Sequence, residues 1–166
     1  KFIVCRFGNV SHSHGSVIPY WLGLKSQDKP LPLTHPDMTR LIISRSDASK
    51  LIHQALVKGE LDDEPFVLSR TMKSVNMYDL AKLISNNINI VGLRPGEKMS
   101  ETLIAEKELP KTFCDGENIV IRNYDNNRSN KLSQEYSSVS AELMSEKEMY
   151  ELIDDTNEAA SQSFME

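Results

Sequence analysis

Residues 2–9, Phe2-Ile3-Val4-Cys5-Arg6-Phe7-Gly8-Asn9, decide the fold class. Phe2 to Phe7 is a short, mostly apolar, β-prone run that stops at Gly8-Asn9, a turn signal. An apolar run without polar alternation reads as a buried strand of a parallel sheet. This strand opens the chain with no earlier partner. The start also lacks a methionine and the apolar core of a signal peptide. The expectation is a chain cut from something longer.

Working outward, strand and helix patterns alternate. Residues 11–16 form a polar loop. Residues 17–24 predict a helix with Ser16 as N-cap and Pro19 tolerated in its first turn. Three prolines, Pro30, Pro32 and Pro36, make the next stretch extended. Residues 41–44 read as a strand. Ser46 or Asp47 is the expected cap of a helix over 48–58, with Leu51, Ile52, Ala55 and Leu56 on its apolar face and Gly59 ending it. Residues 65–69 predict a strand. Met77, Leu80, Ala81 and Ile84 predict a helix around 78–85. Residues 88–93 predict another strand and 98–106 another helix. Residues 118–122 predict a further strand and 123–138 a loop. Ser145 with Glu148 is a capping box for a helix over 146–153, and 154–166 reads as a flexible acidic tail. The alternation indicates an α/β fold.

Bulk properties narrow the function. The 166 residues suggest one domain or part of a larger one, with 39% apolar and 26% charged residues. A net charge of −5 argues against nucleic acid, whose phosphates want a basic face. No apolar run nears the roughly 18 residues that span a bilayer, so no membrane partner is expected. Cys5 and Cys114 have no metal or redox spacing, which fits reduced thiols in a cytoplasmic protein.

Three segments can carry binding chemistry. Arg94-Pro95-Gly96-Glu97-Lys98 sits where a strand hands over to a helix, the usual ligand position in an open α/β sheet. The Arg94 guanidinium can take two phosphate oxygens, and Glu97 can accept from a ribose diol. The competing reading is a capped helix start with a surface Arg–Glu pair. Arg40 follows a rigid stretch in which Pro32, Leu33 and Thr34 offer a base a flat wall and backbone amides. Here the competing reading is an ordinary loop arginine. Asn9 is a two-way hydrogen-bonding group at a strand end, or simply a turn residue. His12-x-His14 lacks a third ligand, so no metal is expected. No GxSxG, HExxH or CxxC is present, and no glycine-rich dinucleotide fingerprint.

In this order, Arg6-Phe7-Gly8-Asn9-Val10, His14-Gly15-Ser16-Val17-Ile18-Pro19, Met38-Thr39-Arg40 and Val91-Gly92-Leu93-Arg94-Pro95-Gly96-Glu97-Lys98 with Glu101 resemble the second half of the nucleotide-sugar 4,6-dehydratases. These are extended short-chain dehydrogenase/reductase proteins with the pattern RYGNV, SRGSVxP, TDxxMTRF and GxRPGEKxxE. Glu135-Tyr136-Ser137-Ser138 is most similar to the inverting UDP-N-acetylglucosamine 4,6-dehydratases that feed pseudaminic acid and related glycans. Departures are His14 for Arg, His35 for Asp, Leu41 for Phe and Ser100 for His.

The resemblance implies the C-terminal portion of a Rossmann-type enzyme with a smaller substrate-binding lobe. Residues 1–10 and about 45–70 would add to the Rossmann sheet, 11–44 and 71–153 would form the lobe, and 154–166 the tail. Asn9 would contact the diphosphate or sugar, and Gly15, Ser16 and Val17 would line the nucleotide pocket. Pro32, Leu33 and Thr34 would flank uracil, Arg40 and Arg94 hold the diphosphate, and Glu97 the ribose. Gly8, Asn9 and Val10 would border the nicotinamide of NADP or NAD, bound mainly by an N-terminal half not in this sequence. The implied chemistry is a hydride cycle at carbon 4 of a UDP-sugar that ends in a 4-keto-6-deoxy product. Its catalytic residues would lie upstream, so none is named here. A full-length protein of this type would be a homo-oligomer. A UDP-sugar 4-epimerase would share the grip, and a non-catalytic nucleotide-binding fragment is the remaining alternative.

Overall fold

The computed structural model describes residues 2–124 and 129–154. The expected loop at 123–138 is therefore described only in part, and the tail beyond Asp154 lies outside the described residues. The architecture is the expected α/β. Strand β1 (Ile3–Cys5) runs parallel to β5 (Phe66–Arg70), pairing Val4 with Val67, and helix α2 (Arg45–Leu61) makes the crossover between them. A hairpin of β9 (Thr112–Asp115) and β10 (Asn118–Ile121) completes this sheet in the order β1-β5-β10-β9. Both hairpin strands lie within 71–153, the span the resemblance gives to the smaller lobe.

The remaining described strands form three smaller sheets, and β2 (Asn9–Val10), which the resemblance gave to the main sheet, belongs to one of them. Strand β2 pairs parallel with β4 (Thr39–Ile43), and β4 pairs antiparallel with β6 (Lys73–Asn76). Strand β3 (Leu31–Leu33) pairs parallel with β7 (Ile88–Ile90). Helices α1 (Val17–Ser26), α3 (Met77–Ile84) and α4 (Glu146–Asp154) bury Ile18, Trp21, Leu80, Ile84 and Met149 in one core with Leu31 and Leu33. A second core joins Leu41 and Ile43 of β4 to Ile119 and Ile121 of β10, and a third packs Leu51 and Ala55 of α2 onto Phe66 and Leu68.

The caps explain where helices begin. The Asn76 side chain accepts from the backbone N–H groups of Tyr78 and Asp79, and Ser145 with Glu148 forms the expected capping box on α4. For α2 the cap is Ser44, not Ser46 or Asp47. Its hydroxyl accepts from the Asp47 N–H at 3.0 Å, while Asp47 lies in the positive first turn.

Four further expectations are corrected. Gly59 does not end α2, which runs on to Leu61. A Cβ there would meet Ile3 Cδ1 at 2.0 Å, so the helix lies close on β1 with the end of the Ile3 side chain against Gly59. Ile52 and Leu56 are exposed rather than on the buried face of α2. The first strand is also less buried than its composition suggested. Among the described strands it pairs only with β5, and Phe2 is 85% exposed. Finally, 98–106 is not a helix. Strand β8 (Thr102–Ile104) pairs antiparallel with β11 (Tyr136–Ser137), and a 3-10 helix (Glu106–Lys111) follows. Pairing buries Leu103 and Ile104, and Glu101 N–H donates to Ser138 Oγ at 2.9 Å. Tertiary contacts thus override a weak helical preference.

Candidate functional site

A cavity of about 350 Å³ opens where β2, the 11–16 loop, the start of α1, β3, β4 and the 94–97 turn converge. Asn9, Gly15, Ser16, Val17, Pro32, Leu33, Thr34, Arg40 and Glu97 all line it. Segments up to 88 residues apart in sequence, Asn9 to Glu97, thus meet at one place. Val10 lines it too. Gly8 does not, and faces a second cavity of about 400 Å³ together with Asn9, Phe7 and Glu101. The three residues given to a nicotinamide are therefore divided between the two cavities.

One wall is apolar and held by a single indole. Trp21, 2% exposed, donates its Nε1–H to the Pro32 carbonyl at 3.0 Å and so ties β3 to α1. Parallel pairing of β3 with β7, extended by Val91 N–H to the Leu33 carbonyl at 2.8 Å, carries the following turn to the cavity rim. Gly96 closes that turn at φ +83°, a conformation that glycine adopts without penalty. Glu97 is thereby fixed. Thr34 Oγ1 donates to its Oε1 at 3.1 Å, and the Arg94 backbone N–H to its Oε2 at 3.2 Å.

Arg94 itself departs from expectation. Its side chain is exposed and is not among the cavity-lining residues. Its backbone joins it to Glu97, not its guanidinium: the Arg94 N–H donates to Glu97 Oε2 and its carbonyl accepts from the Glu97 N–H at 3.0 Å. The turn also does not lead from the main sheet into a helix, which removes the sheet-edge rationale for this segment.

Arg40 lines the cavity but is largely spent. Its side chain, 13% exposed, donates through Nη1 to the Thr39 and Met99 carbonyls at 2.8 and 3.3 Å, and through Nη2 to the Lys98 carbonyl at 2.8 Å. Its Nε lies 3.4 Å from Glu101 Oε1. Of five N–H donors, one on Nη2 is left over. In this arrangement Arg40 mainly pins residues 98–101 against β4.

The opposite end of the cavity has unused capacity. Ser16 occupies the N-cap of α1, yet its hydroxyl makes no capping bond and is buried without a partner among the described residues. Ser11, 3% exposed, also has an unpartnered hydroxyl and lines the same cavity. Orphaned buried hydroxyls are rare and call for an explanation. Ser16 sits at the start of α1, where helix N–H groups attract anions, and Ser11 lines the same cavity. Ser11, Ser13, Trp21 and Met77 join the lining without having been named as site residues from the sequence, while His14 and Met38 belong to two of the quoted motifs. The spacing of Val17, Ile18 and Trp21 along α1 was the one available signal.

Arg6, by contrast, is structural. It grips Glu108 with two bonds of 2.9 Å and donates to the Leu103 carbonyl at 3.0 Å. These bonds from Arg6 hold the Glu108 carboxyl below its usual range. His12 turns its Nε2 to the Leu152 carbonyl, 2.8 Å away. One Tyr-x-x-x-Lys does occur in the chain, Tyr78 to Lys82 on α3. The Lys82 ammonium lies 5.7 Å from the Tyr78 ring centre, and neither residue lines either cavity. Among the described residues, no helix is long and apolar enough to cross a membrane.

Comparison with known proteins gives a consistent picture. The model of a family described as polysaccharide biosynthesis protein matches residues 1–123. An uncharacterized membrane protein of Methanocaldococcus jannaschii is 37% identical over 172 residues, covering 92% of this chain and 49% of that protein. A UDP-glucose 4-epimerase of Rickettsia bellii is 36% identical over 116 residues, covering 66% of this chain and 33% of that one. The X-ray structure of Pen from Bacillus thuringiensis matches with a TM-score of 0.81 at 23% identity, over 95% of this chain and 50% of that chain. That last likeness speaks to the fold alone. The chain spans about half or less of the length of these relatives.

Proposed function

This chain belongs to the polysaccharide biosynthesis protein family, and from that premise we propose that it is the UDP-sugar-binding part of a nucleotide-sugar-modifying enzyme. One observation carries the reading. An apolar wall, a fixed carboxylate and an anion-ready helix start meet in a single cavity. The wall of Pro32, Leu33 and Trp21 suits the flat face of a base. Glu97 keeps lone pairs on both oxygens for the two hydroxyls of a ribose. The start of α1, with Ser11 and Ser16, suits the diphosphate that follows.

The finer reading is a UDP-N-acetylglucosamine 4,6-dehydratase, supported by the four ordered motifs and the 135–138 block. The relative named UDP-glucose 4-epimerase favours a second reading, 4-epimerisation. Both chemistries need a nicotinamide cofactor, which when bound exchanges a hydride with carbon 4. Only Gly8 and Asn9 border the second cavity among the residues assigned to that cofactor, so this chain would offer the nicotinamide one edge. Its main task is to hold and orient the sugar nucleotide.

The test begins with the sole tryptophan. Trp21 lies in the cavity wall, so adding UDP should change its fluorescence saturably. Glu97→Ala should weaken UDP binding about tenfold to a hundredfold, the worth of hydrogen bonds to a charged group. A titration with no fluorescence change and no heat in calorimetry would sink the reading. Product NMR on the protein that carries this chain together with its cofactor-binding half then separates the two chemistries. A 4-keto-6-deoxy sugar supports the dehydratase, and a 4-epimer supports the alternative.

A further inference from the structure

The 11–16 loop gives Ser11, Ser13, His14, Gly15 and Ser16 to the first cavity, and His12 is the residue it leaves out. The His12 ring turns the other way. Its Nε2 meets the Leu152 carbonyl at 2.8 Å, 140 residues on, in the last turn of α4. A carbonyl only accepts, so the imidazole carries a hydrogen on Nε2 and donates it. His12 makes this bond from a left-handed backbone, φ +50°, which a non-glycine residue keeps where its surroundings fix it. They do so on both sides. Ser11 N–H donates to the Ile43 carbonyl at 2.9 Å, Ser13 Oγ to the Val10 carbonyl at 2.9 Å, and Ser16 N–H to the Ser13 carbonyl at 3.0 Å.

The partner end is equally anchored. Leu152 is 8% exposed and packs, with Met149, in the core that also holds Ile18 and Trp21 of α1 and Leu33 of β3. Those last three residues line the cavity. Helix α4 thus backs the cavity through its core and grips the 11–16 loop through one carbonyl. Its start is clasped separately, by Lys73 to Glu148 at 2.8 Å and by the Ser145–Glu148 capping box.

Resting on the nucleotide-sugar reading, we propose that His12 is a positioning residue that couples the cavity to α4. The imidazole holds the loop in the shape that keeps Ser11 and Ser16 in the cavity lining. Linkage makes the effect mutual. A guest that favours the held loop steadies α4 in return, without touching His12 or the helix.

Hydrogen–deuterium exchange with and without UDP reads this coupling. In wild type, saturating UDP should slow exchange at 11–16 and also at 149–154. His12→Gly removes the imidazole and leaves the backbone free to keep its φ. It should bind UDP about three- to tenfold more weakly, the worth of one hydrogen bond. Bound UDP should then protect 11–16 but no longer 149–154. His12→Asn tolerates the same backbone and is too short to reach Leu152, so it should behave alike and serves if the glycine variant folds poorly. A His12 that merely stabilises the fold would lower the Tm of these variants and leave UDP protecting both segments, and that result overturns the coupling. So does wild type in which bound UDP leaves 149–154 unchanged. A ligand-free arm keeps the two readings apart. Glu148→Ala releases the start of α4 from Lys73 and Ser145. It should speed exchange at 11–16 when His12 is present and not in the His12→Gly background. If UDP fails to bind wild type, the nucleotide-sugar reading falls and this arm still decides the coupling. A loop indifferent to Glu148→Ala overturns it.

Discussion

Gly8→Ala is the substitution the structure constrains most tightly. A Cβ at Gly8 would lie 2.5 Å from the Leu41 carbonyl oxygen, 2.8 Å from Leu41 Cβ and 3.0 Å from Leu41 C. Ordinary contact starts at 3.4 Å, so the β4 backbone must retreat by about 0.9 Å from the oxygen. That backbone is held on both sides, by β2 through Asn9 opposite Ile42 and by β6 through Ser74 opposite Leu41. Overpacking of this kind costs about 1–3 kcal/mol, and an immovable main chain puts the cost at the upper end. Reduced freedom of the unfolded chain returns about 0.4–1 kcal/mol. The net loss is about 2 kcal/mol, or a Tm lowered by about 4–8 °C for a chain of this size. Gly59→Ala is the control. Its Cβ meets Ile3 Cδ1 at 2.0 Å, but the far end of an isoleucine can rotate away. Thermal melts followed by Trp21 fluorescence should therefore rank Gly8→Ala well below Gly59→Ala. Equal losses, or a neutral Gly8→Ala, would refute the reasoning.

Three further outcomes are expected. Glu148 has its carboxyl held down at about 2 by the Lys73 ammonium and by the Ser145 N–H and hydroxyl. A carboxyl with a depressed folded value stabilises fully above about pH 4.5 and loses that contribution as pH falls toward 2. The Tm gap between wild type and Glu148→Gln should therefore be widest near pH 6 and close toward pH 2, and a gap constant with pH would contradict the pairing. Tyr136 donates to the Met72 carbonyl at 2.5 Å and accepts from the Met72 N–H at 2.8 Å, so Tyr136→Phe should cost about 1–3 kcal/mol in urea unfolding. Trp21→Phe removes the donor to the Pro32 carbonyl and should cost about 1 kcal/mol or more while also weakening UDP binding. Unchanged affinity would show that the indole does not hold the cavity wall.

Elements with strong local signals were legible from sequence. Ser145 announces α4 because capping is a contact between residues three apart. The apolar spacing of Met77, Leu80, Ala81 and Ile84 likewise needs no partner to be read. Strand β6, Lys73-Ser74-Val75-Asn76, gave no such signal, because its identity as a strand comes from β4 alongside it. Strand β8 was hidden in the same way, its pairing residues lying more than thirty positions downstream. Gly59 misled because a glycine that stops a helix and one that admits a neighbouring strand are the same letter. At the candidate site, the motifs named segments that meet at one cavity but not the contacts within them. Thr34 and Glu97 are joined by a hydrogen bond that the sequence did not announce. Arg94 contributes a peptide N–H, and Arg40 spends its guanidinium on carbonyls that sequence cannot place.

The sheet order β1-β5-β10-β9 has a mechanical consequence. The chain leaves this sheet at Arg70, builds β6, α3, β7 and β8, and re-enters it at Thr112, with β10 then lying directly beside β5. That excursion is stapled at both ends to one rigid slab. A swing of the whole excursion would have to flex two anchored strands together. On this topology the excursion is a shelf on two brackets, not a jaw on one hinge.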